Sequence, residues 1–274
     1  MTSPQHPIGV MDSGLGGLSV WKELVHLMPE EQYLYLGDSG FCPYGSKSPA
    51  EIRERVTRMV DFLMDQGAGV IVVACNAITA ASIDFLRARY PVPFVGMEPA
   101  IKPASLGTRT GAVGVLATER TLQGALFSTT RSRYAQHIRV VEKAGTGLVE
   151  KVEALDFDSN ETLALLEACI RPMLEQNIDH LVLGCTHYPF LQDAMRKIAG
   201  DGVTLVNPAP AVALRTAAIL DQMGARRRPS GYQGENQDGS RGETVFYTTG
   251  NTEKMDHLVS SLKAGHGDVR FVTL

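Results

Sequence analysis

The sequence predicts an α/β protein whose sheets are mainly parallel and flanked by helices, and three observations predict it. Ten short apolar runs recur along the 274 residues. Longer segments with helical periodicity lie between many of them. Polar motifs fall where several of the runs end, the edge at which open parallel sheets handle ligands.

The runs, in order, are HPIGVMD, QYLYLGD, GVIVVACN, FVGM, GAVGVLAT, HIRVVEK, HLVLGCT, VTLVNP, TVFYTTG and VRFVTL. The clearest helix is PAEIRERVTRMVDFLMDQG, with Ile52, Val56, Met59, Val60, Leu63 and Met64 at helical spacing. Ser48 or Ser46 is its candidate cap, Pro49 suits its first turn and Gly67 its end. Similar segments run from Ala77 to Tyr90, Glu119 to Tyr134, Asn160 to Gln176, Pro189 to Ala199 and Ala209 to Met223. From Gly224 to Glu243 the chain is hydrophilic, and an exposed loop is expected there. The apolar pattern resumes after it, so the loop interrupts a domain without ending one.

Apolar residues make up 44 % of the chain, ample for a core. Lys and Arg number 26 against 30 Asp and Glu, a net charge of −4 with no basic footprint for nucleic acid or anionic lipid. The cluster Arg226-Arg227-Arg228 reads as a solvated loop. The start of the chain lacks a signal-peptide pattern, and no run of about 18 apolar residues is available to span a membrane. The cysteines, Cys42, Cys75, Cys169 and Cys185, show neither CxxC nor a pairing framework, so free thiols in a reducing cytoplasm are expected.

Two of those thiols share a context. GVIVVACNAITAAS and HLVLGCTHYPFL each place a cysteine after an apolar run and before a polar residue and a helix. Cys75 and Cys185 would then meet the positive end of a helix, which lowers a thiol pKa. An ionised thiol is a base and a neutral one an acid. A lone buried cysteine is usually just a small hydrophobe. Two at matched positions point to function, and to two similar lobes that each offer one thiol. Cys169, in LLEACIRPML, is core filler, and Cys42, in FCPYG, lies near the cleft without a role. No metal is expected, since no HxH, HExxH or CxxC accompanies His187. DSGLGG lacks the spacing of a phosphate loop. Its Asp12 would attract an ammonium group, and Asp12 or Ser13 is also a natural helix cap. PYG, from Pro43 to Gly45, reads on its own as a tight turn.

Taken in order, DSGLGG, GDSGFCPYG, VACN and LGCTHYP resemble the cofactor-independent glutamate racemases, from about Ile8 to the C-terminus. The resemblance implies two α/β lobes with the active site in the cleft between them. The first would hold residues 1–98 and 208–274, and the second residues 99–207. It implies interconversion of L- and D-glutamate for peptidoglycan synthesis without a cofactor, with a homodimer as the expected assembly. One thiolate would remove the α-proton and the opposite thiol would reprotonate the other face. These roles map to Cys75 and Cys185 and exchange with reaction direction. Substrate contacts would come from Asp12, Ser13, Tyr44, Gly45, Asn76, Ala77, Thr118, Thr186 and His187. His187 would tune Cys185, with Glu153 of LVEKVE in support.

The chain departs from the family pattern in three places. Ala77 follows Asn76 where the family reads Asn-Thr, which leaves Thr79 and Ser82 as the nearest hydroxyls. Val115 stands where threonine is common. VNPAPAVA replaces an Asp-Ser-Gly version. Two other readings stand beside glutamate racemisation: a racemase of aspartate or another small acid on the same fold, and an amino-acid-binding regulator that kept the cleft and lost the chemistry. A thiol–disulfide protein is disfavoured by the missing CxxC.

Overall fold

The computed structural model describes residues 6–227 and 242–274. Its strands are β1 (Ile8–Asp12), β2 (Tyr33–Gly37), β3 (Val70–Val73), β4 (Phe94–Gly96), β5 (Ala112–Ala117), β6 (Arg139–Ala144), β7 (His180–Gly184), β8 (Thr204–Val206), β9 (Thr244–Thr248) and β10 (Val269–Phe271). All pair in parallel, in two sheets ordered β10-β9-β2-β1-β3-β4 and β6-β5-β7-β8. Each predicted run supplies one strand. Four of the ten, β1, β2, β3 and β5, are buried from end to end, because helices cover both faces of a parallel sheet.

Register then levels the strand ends. Asp12 pairs with Gly37, and Met11 with Val73, so β1, β2 and β3 finish together. In the second sheet Ala117 pairs with both Ala144 and Gly184, which aligns the ends of β5, β6 and β7.

The helices are α1 (Leu18–Leu27), α2 (Pro49–Asp65), α3 (Asn76–Arg89), α4 (Ile101–Gly107), α5 (Glu119–Leu122), α6 (Ala125–Tyr134), α7 (Leu148–Glu153), α8 (Asn160–Leu174), α9 (Gln192–Ala199), α10 (Ala209–Met223) and α11 (Thr252–Leu262). Ser48 is the cap of α2. Its hydroxyl accepts from the Glu51 N–H while the Glu51 carboxylate accepts from the Ser48 N–H, and Pro49 occupies the first turn. The segment from Glu119 to Tyr134 forms two helices, with Gly124 capping the second in extended backbone. The segment from Pro189 to Ala199 opens as a 3₁₀ turn, Tyr188–Leu191, before α9. Three further helices, α1, α4 and α7, fill connections that periodicity had left open.

Each sheet has apolar cores on both faces. Trp21 of α1 meets Phe246 of β9 edge-on at 5.0 Å, beneath α10 and α11. The opposite face packs Ile52, Val56 and Met59 of α2 against Ile71 and Val73. Leu116, Leu181 and Leu183 of the second sheet bury against α8, whose Cys169 is core filler as expected. Asp179 secures the loop into β5. Its carboxylate accepts from Thr108 Oγ1 at 2.6 Å and from the Arg109 and Thr110 N–H groups at 2.6 and 3.1 Å. Burial opposes ionisation there, but these donors and the 2.9 Å contact with His180 hold the carboxyl well below its ordinary range.

Most of the expected exposed loop, residues 228–241, lies outside the described residues, and Arg228 with it. Its two described arginines correct the solvated reading. Arg226 reaches Asp221 at 3.0 Å, and Arg227 is half-buried, its N–H donating to Glu31 at 2.7 Å and its guanidinium to Gln32 at 2.7 Å. The buried Glu31 carboxylate needs those partners, which draws the chain inward. Among the described residues, no helix is long and apolar enough to cross a membrane.

Candidate active site

The levelled strand ends of both sheets meet around one cavity of about 120 Å³. Its lining comes almost wholly from the loops that follow β1, β2, β3, β5, β6 and β7. Ser13, Tyr44, Gly45, Cys75, Asn76, Ala77, Thr118, Cys185 and His187 all line it. Both predicted thiols therefore face one space, one from each sheet. The cavity is below the roughly 300–1,000 Å³ of drug-sized pockets and suits a small metabolite.

On the first wall, Cys75 is the N-cap of α3, just past β3. Its thiol lies 3.5 Å from Ser13 Oγ. Burial pushes the Cys75 pKa up to about 12, and the nearby Asp12 charge adds to this; the Ile78 N–H and Ser13 pull the other way. The helix end therefore does not make this thiol acidic, contrary to the expectation from sequence, because desolvation outweighs it. Asn76 beside it is buried, and among the described residues neither its amide oxygen nor its nitrogen has a hydrogen-bond partner. An unsatisfied buried amide costs roughly 1–3 kcal/mol, so Asn76 is poised for a polar ligand.

On the second wall, Cys185 follows β7 and leads into the 3₁₀ turn, not a long helix. In place of a helix end it has an imidazole. His187 Nδ1 lies 3.7 Å from Cys185 Sγ, and Nε2 lies 2.6 Å from Glu153 Oε1. Burial alone would lower the His187 pKa, but hydrogen bonds with Cys185, Cys42 and Glu153 hold it well above the ordinary imidazole value. Burial would likewise raise Glu153, and the His187 partner with the Leu15 N–H and Ser39 hydroxyl brings it below the usual carboxylate range instead. The result is an imidazolium–carboxylate pair behind Cys185.

Glu153 also joins the lobes. Its Oε1 accepts from the Leu15 N–H at 2.6 Å and its Oε2 from Ser39 Oγ at 2.9 Å, both on the first sheet's loops. This explains two of the three glycines of DSGLGG. A Cβ at Gly14 would collide with the Glu153 carboxylate, and one at Gly16 with the His187 ring. The motif is bare so that the other lobe's acid–base pair can pack against its backbone.

Asp12 and Thr186 sit behind the cavity. Asp12 Oδ1 accepts from the Gly14 N–H at 3.0 Å, and its Oδ2 accepts from Thr186 Oγ1 at 3.0 Å, while burial raises its carboxyl pKa. Neither residue is exposed at all, so they clasp the two lobes together. Thr79 and Ser82 do not replace the hydroxyl missing at Ala77. Thr79 Oγ1 bonds the Val73 carbonyl and the Met97 N–H, and Ser82 Oγ the Ile78 carbonyl. Thr118, whose hydroxyl caps α5 by accepting from the Thr121 N–H, lines the cavity.

The loop carrying Tyr44 is held from below. Buried Asp38 accepts from Tyr44 Oη at 2.5 Å, from Arg55 Nε and Nη2 at 2.7 and 2.8 Å, and from Thr249 Oγ1 at 2.6 Å. Arg55 matches the carboxylate in the two-pronged geometry that fixes direction as well as distance. Sequence reasoning missed Asp38, and it missed Ser46, Thr146 and Glu150 on the cavity wall. The stretch GTG after β6 was the available signal, being one more polar turn at a strand end.

A racemase family model, described as Asp/Glu/Hydantoin racemase, matches residues 8–216. The chain belongs to this racemase family. The racemase is 45 % identical over 257 residues to the glutamate racemase of Roseiflexus sp., covering 93 % of this chain and 92 % of that one. Its fold is similar to that of the RacE1 glutamate racemase of Bacillus anthracis, with a TM-score of 0.85 and 30 % identity over 99 % of each chain. It is also similar to Escherichia coli glutamate racemase solved with L-glutamate and the activator UDP-MurNAc-ala, with a TM-score of 0.82 and 31 % identity over 98 % of each. The two-lobed racemase architecture is thus shared across the full length.

Proposed function

We propose that this racemase interconverts L- and D-glutamate by moving the α-proton between two thiols. One observation carries the reading: Cys75 and Cys185, delivered by different sheets, line the same small cavity. Inverting a stereocentre needs a base on one face of the α-carbon and an acid on the other. In one direction a Cys185 thiolate takes the α-proton, the C–H electron pair moves into the α-carboxylate, and the Cys75 thiol gives its proton to the opposite face. The reverse reaction exchanges the two roles. The carbanion requires donors already aimed at the carboxylate. The unpartnered Asn76 amide and the Thr118 hydroxyl are suited to that task. The His187–Glu153 pair would reset the proton of Cys185 between turnovers.

Glutamate is favoured over aspartate by the relatives, which are named glutamate racemases over nearly their whole length, including one crystallised with L-glutamate. D-Glutamate made this way would enter peptidoglycan precursors, and the cytoplasm is the matching compartment. Racemisation in deuterium oxide tests the mechanism. The product enantiomer should carry deuterium at Cα from the first turnover, while recovered substrate stays largely unlabelled. Inversion without label would rule the two-thiol reading out. Circular dichroism on a panel of amino acids tests the substrate, and turnover of aspartate but not glutamate would reverse the assignment.

A further inference from the structure

Cys42 neither gives nor takes the α-proton in that mechanism, yet the fold places it against His187. One ligand atom each from Cys42, Glu153 and His187 lie within 4.8 Å of one another. The three come from the loop after β2, the end of α7 and the loop after β7, so no short sequence spacing announces them. Cys42 and Glu153 border a second hollow of about 220 Å³, lined also by Ser39, Glu150 and Lys254, while His187 lines the substrate cavity. Cys42 is half-buried, so an ion entering by that hollow meets the thiol without crossing the substrate cavity.

We infer that Cys42, His187 and Glu153 form an inhibitory site for Zn²⁺ or a similarly thiophilic divalent ion. The inference rests on the reading of His187 as the proton partner of Cys185. A thiolate, an imidazole and a carboxylate are the ligand set zinc favours, and their charges neutralise it. Tetrahedral bond lengths of about 2.0–2.3 Å require ligand atoms about 3–4 Å apart, so the present spacing closes by roughly 1 Å of side-chain movement. Water completes the shell from the hollow. Binding releases two protons to solvent, one from the Cys42 thiol and one from the hydrogen bond between His187 and Glu153. Coordination through Nε2 leaves Nδ1 as a fixed donor toward Cys185. The metal then holds the ring and draws Glu153 away from it, so the pair can no longer serve Cys185 and the reset between turnovers stops. Lys254, whose Nζ donates to the Glu153 carbonyl at 3.3 Å, opposes the cation, while Glu150 on the same hollow offsets it.

The test uses the full chain with Zn²⁺ alone, and with Co²⁺ as a spectroscopic substitute. One Zn²⁺ should bind per chain, more tightly as pH rises, and racemisation should fall with occupancy and return with a chelator. Cys42→Ser should weaken Zn²⁺ binding and inhibition by at least about tenfold, the inhibition read against that variant's own metal-free rate. Co²⁺ should give a thiolate-to-metal absorption in the parent and in Cys185→Ser, and none in Cys42→Ser. A band that survives Cys42→Ser but vanishes in Cys185→Ser would place the metal on the proposed catalytic thiol and overturn the inference, as would the absence of stoichiometric binding. Full activity in metal-free Cys185→Ser would instead overturn the two-thiol mechanism, whatever the metal does.

Discussion

Cys75 and Cys185 occupy equivalent places, each just past an interior parallel strand, yet the walls behind them are built differently. Cys75 caps a 14-residue helix, and its thiol meets a serine hydroxyl, Ser13. Cys185 begins a single 3₁₀ turn and touches an imidazole that is itself pinned by a carboxylate. The first wall relies on a backbone N–H and a hydroxyl, and burial outweighs them. The second carries a mobile proton on a side chain. Matched positions in a fold thus fix where a thiol points and leave its acidity to the neighbours.

The sharpest way to break this comparison is to remove each thiol. Cys75→Ser and Cys185→Ser should each lower kcat/KM for racemisation by about 10³-fold or more, as loss of a positioned acid–base group does. A variant retaining activity within tenfold of the parent would sink the two-wall picture. Next in size, His187→Gln should cost about 10²-fold in kcat. Glu153→Gln sharpens the point through pH. The carboxylate helps hold the imidazolium protonated, so its loss should move the alkaline limb of the kcat profile to lower pH, read by rates across the alkaline range.

Asp179→Asn is a control on the lobe that carries Cys185. It should cost about 1.5–3 kcal/mol of stability at pH 7 through lost hydrogen bonds to a charged group, with the difference between the thiols untouched. The folded pKa of Asp179 is depressed, so its stabilisation is present above the unfolded value of about 4 and fades as pH falls below it. Denaturant midpoints of parent and variant should therefore converge in strong acid. The smallest effect is expected of Ser13→Ala, tenfold or less in kcat, since one neutral hydrogen bond is worth about 1 kcal/mol. An effect as large as that of His187→Gln would mean that both walls depend equally on their nearest partner.

The strands were legible in the sequence because a strand covered on both faces must be apolar along its length, and LYLG, VIVV and LVLG say so directly. The helices α4 and α7 were not, at seven and six residues being too short to display a period. Helix α1 was hidden because its N-terminus is the glycine motif itself, with no side-chain cap to mark it. Within the site, the motif residues could be named but not their partners. Nothing in LVEKVE places Glu153 on His187, and nothing in FCPYG places Cys42 there. Asp12 illustrates the limit most clearly. Its type suits an ammonium contact, and nothing in DSGLGG announces that it is buried with Oδ2 accepting from the Thr186 hydroxyl of the other lobe.

Glu153 is held at three points: by His187 of its own lobe, and by the Leu15 N–H and the Ser39 hydroxyl of the other. Any swing that parts the lobes far enough to admit a guest must first unfasten the last two. The imidazole then faces a carboxylate whose own footing has changed, and its grip on the proton changes with it. Entry and readiness are in this way wired to the same anion, so that the molecule is armed only when shut.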